Sequence, residues 1–251
     1  MDHVTIERDG AVAVFRFNRP PANAFDLEFA REIEAAFTAL VPTSGVGAIV
    51  VTGSGSCFSA GLDLKRVPTY GAEQQRDMVA TINRMLAALY ACPLPVVGAI
   101  NGHAIAGGLV LALACDYRVG TSAPCKLGLT EGRAGIPFPA VAMAVVQAET
   151  APAVARMLTL RANNMGPEAA LACALLDELQ SPERVMPTAI DVARDLASIP
   201  RDAYATIKRQ LRAKAIAFIE STVAQGTDPA LESWLTSDAS AASAALLRRR
   251  G

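Results

Sequence analysis

Backbone amides and a single carboxyl group are the residues of this chain best placed to do chemistry. Ala60-Gly61-Leu62-Asp63 and Ala106-Gly107-Gly108 each follow a short apolar run and open a helical pattern. The first N–H groups of a helix have no partner inside it. They bind an oxygen that is negative or becomes so, and two of them converging make an oxyanion hole. Glu131 stands in Leu127-Gly128-Leu129-Thr130-Glu131-Gly132-Arg133-Ala134-Gly135-Ile136-Pro137, after a strand pattern and before a glycine and proline turn. Residue type leaves two readings of it. One is a solvated carboxylate paired with Arg133; the other is a carboxyl against apolar walls, with a raised pKa suited to proton transfer near neutrality.

Other chemistries have less material. His3 and His103 are the only histidines a Ser-His-Asp triad could use, and His103, in Asn101-Gly102-His103-Ala104, reads as a packed or pocket-lining residue. The chain has no GxGxxG after a strand, no GxxxxGK[ST] phosphate loop, no GxSxG elbow and no HExxH, which removes support for dinucleotide, nucleotide and zinc-hydrolase chemistry. Cys57, Cys92, Cys115, Cys125 and Cys173 contain no CxxC pair and have mostly apolar neighbours. They read as reduced, buried thiols rather than a disulfide framework or a metal site.

The elements that must position these groups follow from periodicity and breakers. Val4–Glu7 and Ala11–Phe17 read as a hairpin about Asp9-Gly10. The prolines of Asn18-Arg19-Pro20-Pro21-Ala22-Asn23-Ala24 keep that stretch irregular before a helix over residues 27–40, which Pro42 stops. A buried strand at residues 48–51 leads through a Gly/Ser loop and the Ala60-Gly61 segment to a helix over 72–90. Pro93-Leu94-Pro95 breaks that helix before a second buried strand at 96–100, and Gly102–Gly108 opens an apolar helix through Ala114. Residues 117–119 and 125–128 read as two short strands around a turn. Beyond Pro139 the pattern is helical and alanine-rich, including 190–199, 203–219 and 228–250. Repeated strand, loop and helix units predict an α/β fold with a largely parallel core.

With 251 residues and a net charge of −1, the chain lacks the basic footprint of a nucleic-acid binder. Its longest central apolar run, Ala104–Cys115, is too short to span a bilayer. The first residues carry no basic segment followed by an apolar stretch, so neither a secretory signal nor a membrane segment is expected, and a cytoplasmic location is.

Four stretches carry a resemblance. Asn18–Ala24, Ser59–Lys65, Asn101–Gly108 continuing into Leu111–Arg118, and Ser237-Asp238-Ala239 with Arg248-Arg249-Arg250 resemble, in order, the adenine-side loop, the two oxyanion segments and the terminal helix of the crotonase superfamily, the enoyl-CoA hydratases and isomerases. The usual phenylalanine of that last helix is missing. The resemblance implies a crotonase-like ββα superhelix, a spiral of strand-strand-helix units over residues 1–195, with a C-terminal helical trimerisation region over 196–251. It implies an acyl-CoA substrate whose thioester oxygen is held by the amides of Leu62 and Gly107, and Glu131 as the proton carrier. Ala22, Ala24, Ala60, Gly61, Asp63, Leu64, Lys65 and Gly108 fall where that family binds its substrate, Lys65 near the CoA phosphates. It implies no metal or cofactor, since the thioester is the substrate, and a homotrimer or dimer of trimers.

Hydratases of that family carry two glutamates. Here the first position falls on Val110 and the second on Glu131. A lone carboxylate beside an enolate suits a double-bond shift, and the segments around residues 20–29, 106–108, 115–118 and 127–131 look most like delta-3, delta-2-enoyl-CoA isomerases. Residues 132–139 depart from that group. Isomerisation is therefore the first expectation, hydratase or another acyl-CoA lyase or hydrolase the second, and a non-catalytic CoA-binding protein the third. Trp234, the sole tryptophan, is expected as an interface or packing anchor.

Overall fold

In the computed structural model, which describes residues 3–236, the chain runs β1 (Val4–Asp9), β2 (Val12–Phe17), α1 (Leu27–Leu40), β3 (Ala48–Gly53), β4 (Cys57–Ser59), α2 (Ala72–Tyr90), β5 (Val96–Ile100), β6 (His103–Ile105), α3 (Gly107–Leu113), β7 (Tyr117–Thr121) and β8 (Leu127–Gly128). It continues through α4 (Ala140–Glu149), α5 (Pro152–Arg161), α6 (Pro167–Ala172), β9 (Glu178–Gln180), α7 (Pro182–Ala197), α8 (Arg201–Leu211), α9 (Ala213–Gln225) and α10 (Leu231–Thr236). The Ser237 and Arg248 segments of the resemblance lie outside the described residues. No helix among the described residues is long and apolar enough to cross a membrane.

Two sheets result. One has six strands in the order β1-β2-β3-β5-β7-β9, antiparallel only between β1 and β2; the other has three parallel strands, β4-β6-β8. Each of β3, β5 and β7 is followed by a strand of the small sheet, and the first two such pairs lead on to α2, through a 3-10 turn at Val67–Thr69, and to α3. This is the expected spiral of strand-strand-helix units.

Parallel strands covered on both faces must be apolar on both, and β3 is buried at every residue. Its Ile49 and Val51 join the larger core with α1 and α2, whereas Ala48 and Val50 face the other way with Val97, Ala99 and Val119, under Val185, Ala189 and Ala193 of α7. The larger core holds edge-on pairs of Phe17 with Phe15, Phe29 and Phe58 at ring separations of 5.5–6.1 Å.

The expected elements differ from the structure at four places. The helix expected from Gly102 begins only at Gly107, because Ala106 takes φ 54° and residues 103–105 extend as β6 between β4 and β8. Of the strand expected over 125–128 only Leu127-Gly128 forms, paired with β6 in the small sheet. The three-residue β9, in a region read as helical, is too short for a period to register. The single helix expected over 203–219 breaks at Arg212, where the backbone leaves the helical region. There the guanidinium lies over the Tyr90 ring at 4.1 Å and pairs with Asp116 and Glu149, while Lys208 Nζ meets Asp116 at 2.8 Å. Two buried cations thus hold these helices against the start of β7, a role an apolar periodicity does not reveal.

Candidate active site

The loop between β2 and α1 and the segment after β4 run side by side. Ala60 N–H donates to Ala22 O (3.0 Å), Phe25 N–H to Gly61 O (2.8 Å) and Asp63 N–H to Phe25 O (2.9 Å). This is a short parallel bridge between Phe25 and Leu62. In such a bridge the partner's bonds go to the residues before and after Leu62, so the Leu62 amide itself points to the opposite side. The start of α3 packs against Gly61, and Gly107, as its first helical residue, has no carbonyl one turn back to bond.

Two tight contacts bring these two segments together. A Cβ built on Gly61 would lie 2.8 Å from Gly107 N, and one on Gly108 would lie 2.1 Å from Ser59 O. No larger residue fits either place without separating the two segments. Gly61 also takes φ +75°, which an L side chain disfavours. Gly108 therefore seats the two turns against each other instead of lining the cavity.

Glu131 opens the 3-10 turn Glu131–Ala134 at the end of the segment carrying β8. Its side chain is buried, and Oε2 has no hydrogen-bond partner. Arg133 turns away to the carbonyls of Ala162 and Arg161, so the pairing of Glu131 with Arg133 does not form. Burial pushes the Glu131 carboxyl up to about 8, opposed only by its own backbone amide. Of the two readings of this residue, the apolar-walled carboxyl is the one the fold builds.

Leu62, Gly107 and Glu131 line one narrow cavity, with room of about 50 Å³, smaller than an open small-molecule site. Ala60, Phe25, Leu64, Ile105 and Val110 share its wall, and Glu131 is the only ionisable side chain among the described lining residues. Ala60, Leu62 and Leu64 also border an adjoining open groove that contains Ala22, Ala24, Asp63 and Lys65, together with His3, Arg19 and Arg66. Cations line this groove, yet Arg19 is held by Asp26 (2.9 Å) and Asp63 (3.0 Å), and Arg66 pairs with Asp26. Asp63 Oδ1 accepts the amides of Lys65 and Arg66. Asp63 thus shapes the turn that presents Lys65.

Asn23 and Ser59 hold this geometry and went unmarked as individual residues. Asn23, at φ 48°, donates from Nδ2 to Ser54 O (3.0 Å) and Cys57 O (2.8 Å), and its Oδ1 accepts the Arg19 amide (2.9 Å). Ser59 Oγ donates to Asn23 O (2.8 Å) and accepts the Gly61 amide (3.1 Å). The signal available was an asparagine in a proline-rich loop, a residue that tolerates positive φ. Asn23→Ala leaves several buried groups unpaired and is expected to cost about 2–4 kcal/mol of stability in denaturant unfolding; a loss under about 0.5 kcal/mol would show that the loop is held by other means.

The family model for enoyl-CoA hydratase/isomerase matches residues 7–239. The probable enoyl-CoA hydratase EchA17 of Mycobacterium tuberculosis is 35% identical over 202 residues, 80% of this chain and 77% of that protein. A putative enoyl-CoA hydratase of Thermus thermophilus is 35% identical over 198 residues, 77% of each chain. Among solved structures, human mitochondrial delta3-delta2-enoyl-CoA isomerase superposes with a TM-score of 0.90 at 27% identity, covering 99% of this chain and 98% of that one. An apo enoyl-CoA isomerase of Mycobacterium tuberculosis superposes at 0.81 with 30% identity, over 90% of this chain and 97% of its own.

Proposed function

This chain is an enzyme of the enoyl-CoA hydratase/isomerase family, and we propose that its reaction is the shift of a double bond in an enoyl-CoA thioester between the β,γ and α,β positions. The observation that carries this reading is a cavity lined by Leu62 and Gly107 in which Glu131 is the one ionisable side chain among the described residues. The thioester oxygen sits between the N–H groups of Leu62 and Gly107. As the ionised Glu131 carboxylate takes a proton from the α carbon of a 3-enoyl thioester, the electron pair moves onto that oxygen and the amides hold the charge. Each such donor is worth about 3–4 kcal/mol in the transition state. The same carboxyl, now neutral, delivers its proton to the γ carbon, the electron pair returns, and a 2-enoyl thioester leaves. The CoA portion lies along the adjoining groove past Ala22 and Ala24, with Lys65 toward its phosphates.

Hydration is the second reading, favoured by the names of the curated relatives. Adding water requires a group that holds and activates it besides the one that moves the substrate proton. Val110, buried in the cavity wall, offers neither a donor nor an acceptor.

The test gives the purified protein 3-hexenoyl-CoA and 2-hexenoyl-CoA separately and follows products by mass spectrometry. Isomerisation predicts conversion of the 3-enoyl thioester with no change of mass. Faster uptake of water by 2-hexenoyl-CoA than rearrangement of 3-hexenoyl-CoA would overturn this reading in favour of a hydratase.

A further inference from the structure

We infer that Trp234 closes the acyl end of this cavity and sets the length of hydrocarbon chain the enzyme accepts, an assignment that rests on the acyl-CoA reading above. Trp234 is only 4% exposed, although it sits on α10, the last described helix. It lines the same cavity as Glu131, together with Ile82, Met85 and Leu86 of α2 and with Phe138 and Ala142. None of these borders the groove through which the CoA portion would lie. The thioester therefore enters past Ala60, Leu62 and Leu64, and its tail runs toward α2, α4 and α10.

That wall presents no charge and, apart from the indole N–H, no polar side-chain group. The chain it suits is a plain alkyl tail, without a distal carboxylate or hydroxyl, because a buried polar group left unpaired there would bind poorly.

Trp234 is also held in place. Asp228, just before α10, accepts from Asn83 Nδ2 (2.7 Å) and from the Ala140 amide (2.8 Å) through Oδ2, and from the Ala230 amide (2.7 Å) through Oδ1. The buried Asn83 in turn accepts the Val141 amide (3.2 Å). One carboxylate and one amide side chain thus fix α2, α4 and the start of α10 relative to each other, and these are the three helices of the acyl wall. An indole fixed this way ends the pocket at a set distance from Glu131, where a mobile side chain would yield to a longer tail.

Because Trp234 is the sole tryptophan of the chain, its emission reports on this wall alone. The experiment titrates the wild-type protein with CoA and with saturated butanoyl-, octanoyl- and dodecanoyl-CoA, following emission and, in parallel, calorimetric binding. It also measures kcat/KM for 3-hexenoyl- and 3-dodecenoyl-CoA in wild type, Trp234→Phe and Trp234→Ala. Octanoyl-CoA is expected to change the emission where CoA does not. The dodecenoyl to hexenoyl ratio of kcat/KM is expected to rise by about tenfold in Trp234→Ala and by less in Trp234→Phe, in line with what methylene-sized changes in an apolar pocket do to specificity. Acyl-CoA that binds by calorimetry yet leaves emission as CoA does would overturn the assignment, as would a ratio in both folded variants within about twofold of wild type. Should Trp234→Ala not fold, the emission titration and Trp234→Phe still decide it. Absence of calorimetric binding for every acyl-CoA would overturn the acyl-CoA reading itself and this assignment with it.

Discussion

Glu131→Gln is expected to lower kcat for 3-hexenoyl-CoA isomerisation by about 10²–10⁴-fold, the range a positioned general acid-base group contributes. Glutamine has nearly the shape of the neutral carboxyl but cannot take a proton. Affinity for saturated hexanoyl-CoA should therefore stay within about threefold of wild type, since binding uses the amides and the apolar wall. Burial raises the Glu131 carboxyl to about 8, so at neutral pH the free enzyme carries mostly the inactive, protonated form. For wild type, kcat/KM should accordingly rise with pH, reach half its maximum near 8 and level off about one unit higher, because this parameter follows the free enzyme's essential groups. The residual activity of Glu131→Gln should not follow that curve. Equal turnover by the two proteins would remove Glu131 from the mechanism.

The same burial makes a stability prediction whose sign is fixed by linkage. The folded-state pKa is raised above the ordinary value of 4.5, so the folded protein binds the proton more tightly than the unfolded chain does. This contribution is fully present below pH 4.5 and is lost as pH rises through about 8. Each tenfold difference in proton affinity between the two states is worth about 1.4 kcal/mol, so the loss is on the order of 3–5 kcal/mol. Glutamine does not titrate. Relative to wild type, Glu131→Gln should thus gain stability between about pH 5 and about pH 9, on the order of 10 °C in Tm for a chain this long. A Tm difference that stays constant between those two pH values would show that the carboxyl is solvated in solution.

Part of this site was legible in the residues themselves. Helices α1 and α2 span the residues that the periodicity marks, because the signals are local: Asp26 Oδ1 accepts the Phe29 amide at the first turn of α1, and prolines follow the end of each helix. The close approach of residues 60–62 to 106–108 was legible only as two glycine-bearing turns. That they meet depends on β4 and β6 pairing side by side, and β6 was hidden in a run that reads as helix. Glu131 shows the limit most clearly. Its neighbours Arg133 and Gly132 describe a solvated loop, yet it lines a cavity with Val110 and Ile105, distant in sequence, while the Arg161 and Ala162 carbonyls draw Arg133 aside. Solvation is a property of the packed chain, so the local sequence could name the carboxyl but not its pKa.

Gly61→Ala is expected to lower kcat by about 10²–10³-fold, comparable to removing an oxyanion-hole donor, though it deletes no hydrogen-bonding group. The added methyl carbon would lie 2.8 Å from Gly107 N, 2.9 Å from Ala106 Cβ and 2.9 Å from Ile105 O, closer than atoms pack. Two of those three are backbone atoms, and no flexible side chain can yield, so the segments carrying the Leu62 and Gly107 amides must move apart by tenths of an ångström. A shift of that order misplaces both donors toward an oxyanion that forms only in the transition state, and small misplacements of catalytic groups are costly in rate. Binding of saturated hexanoyl-CoA should fall far less than kcat. Part of the effect of any such change comes from strain, because Gly61 has φ +75° and an L residue there costs about 1–2 kcal/mol. Gly55 separates the two contributions. It has φ +70° but no atom within 4 Å of an added Cβ, so Gly55→Ala carries the same backbone strain without displacing any wall. Both variants should lose a similar amount, about 1–2 kcal/mol, in denaturant unfolding from that strain, with Gly61→Ala losing more from the clash, while Gly55→Ala keeps its turnover within about twofold of wild type. Turnover by Gly61→Ala at the level of Gly55→Ala would mean that the spacing of the two amides does not govern the reaction, and the oxyanion would then have to be held elsewhere in the cavity.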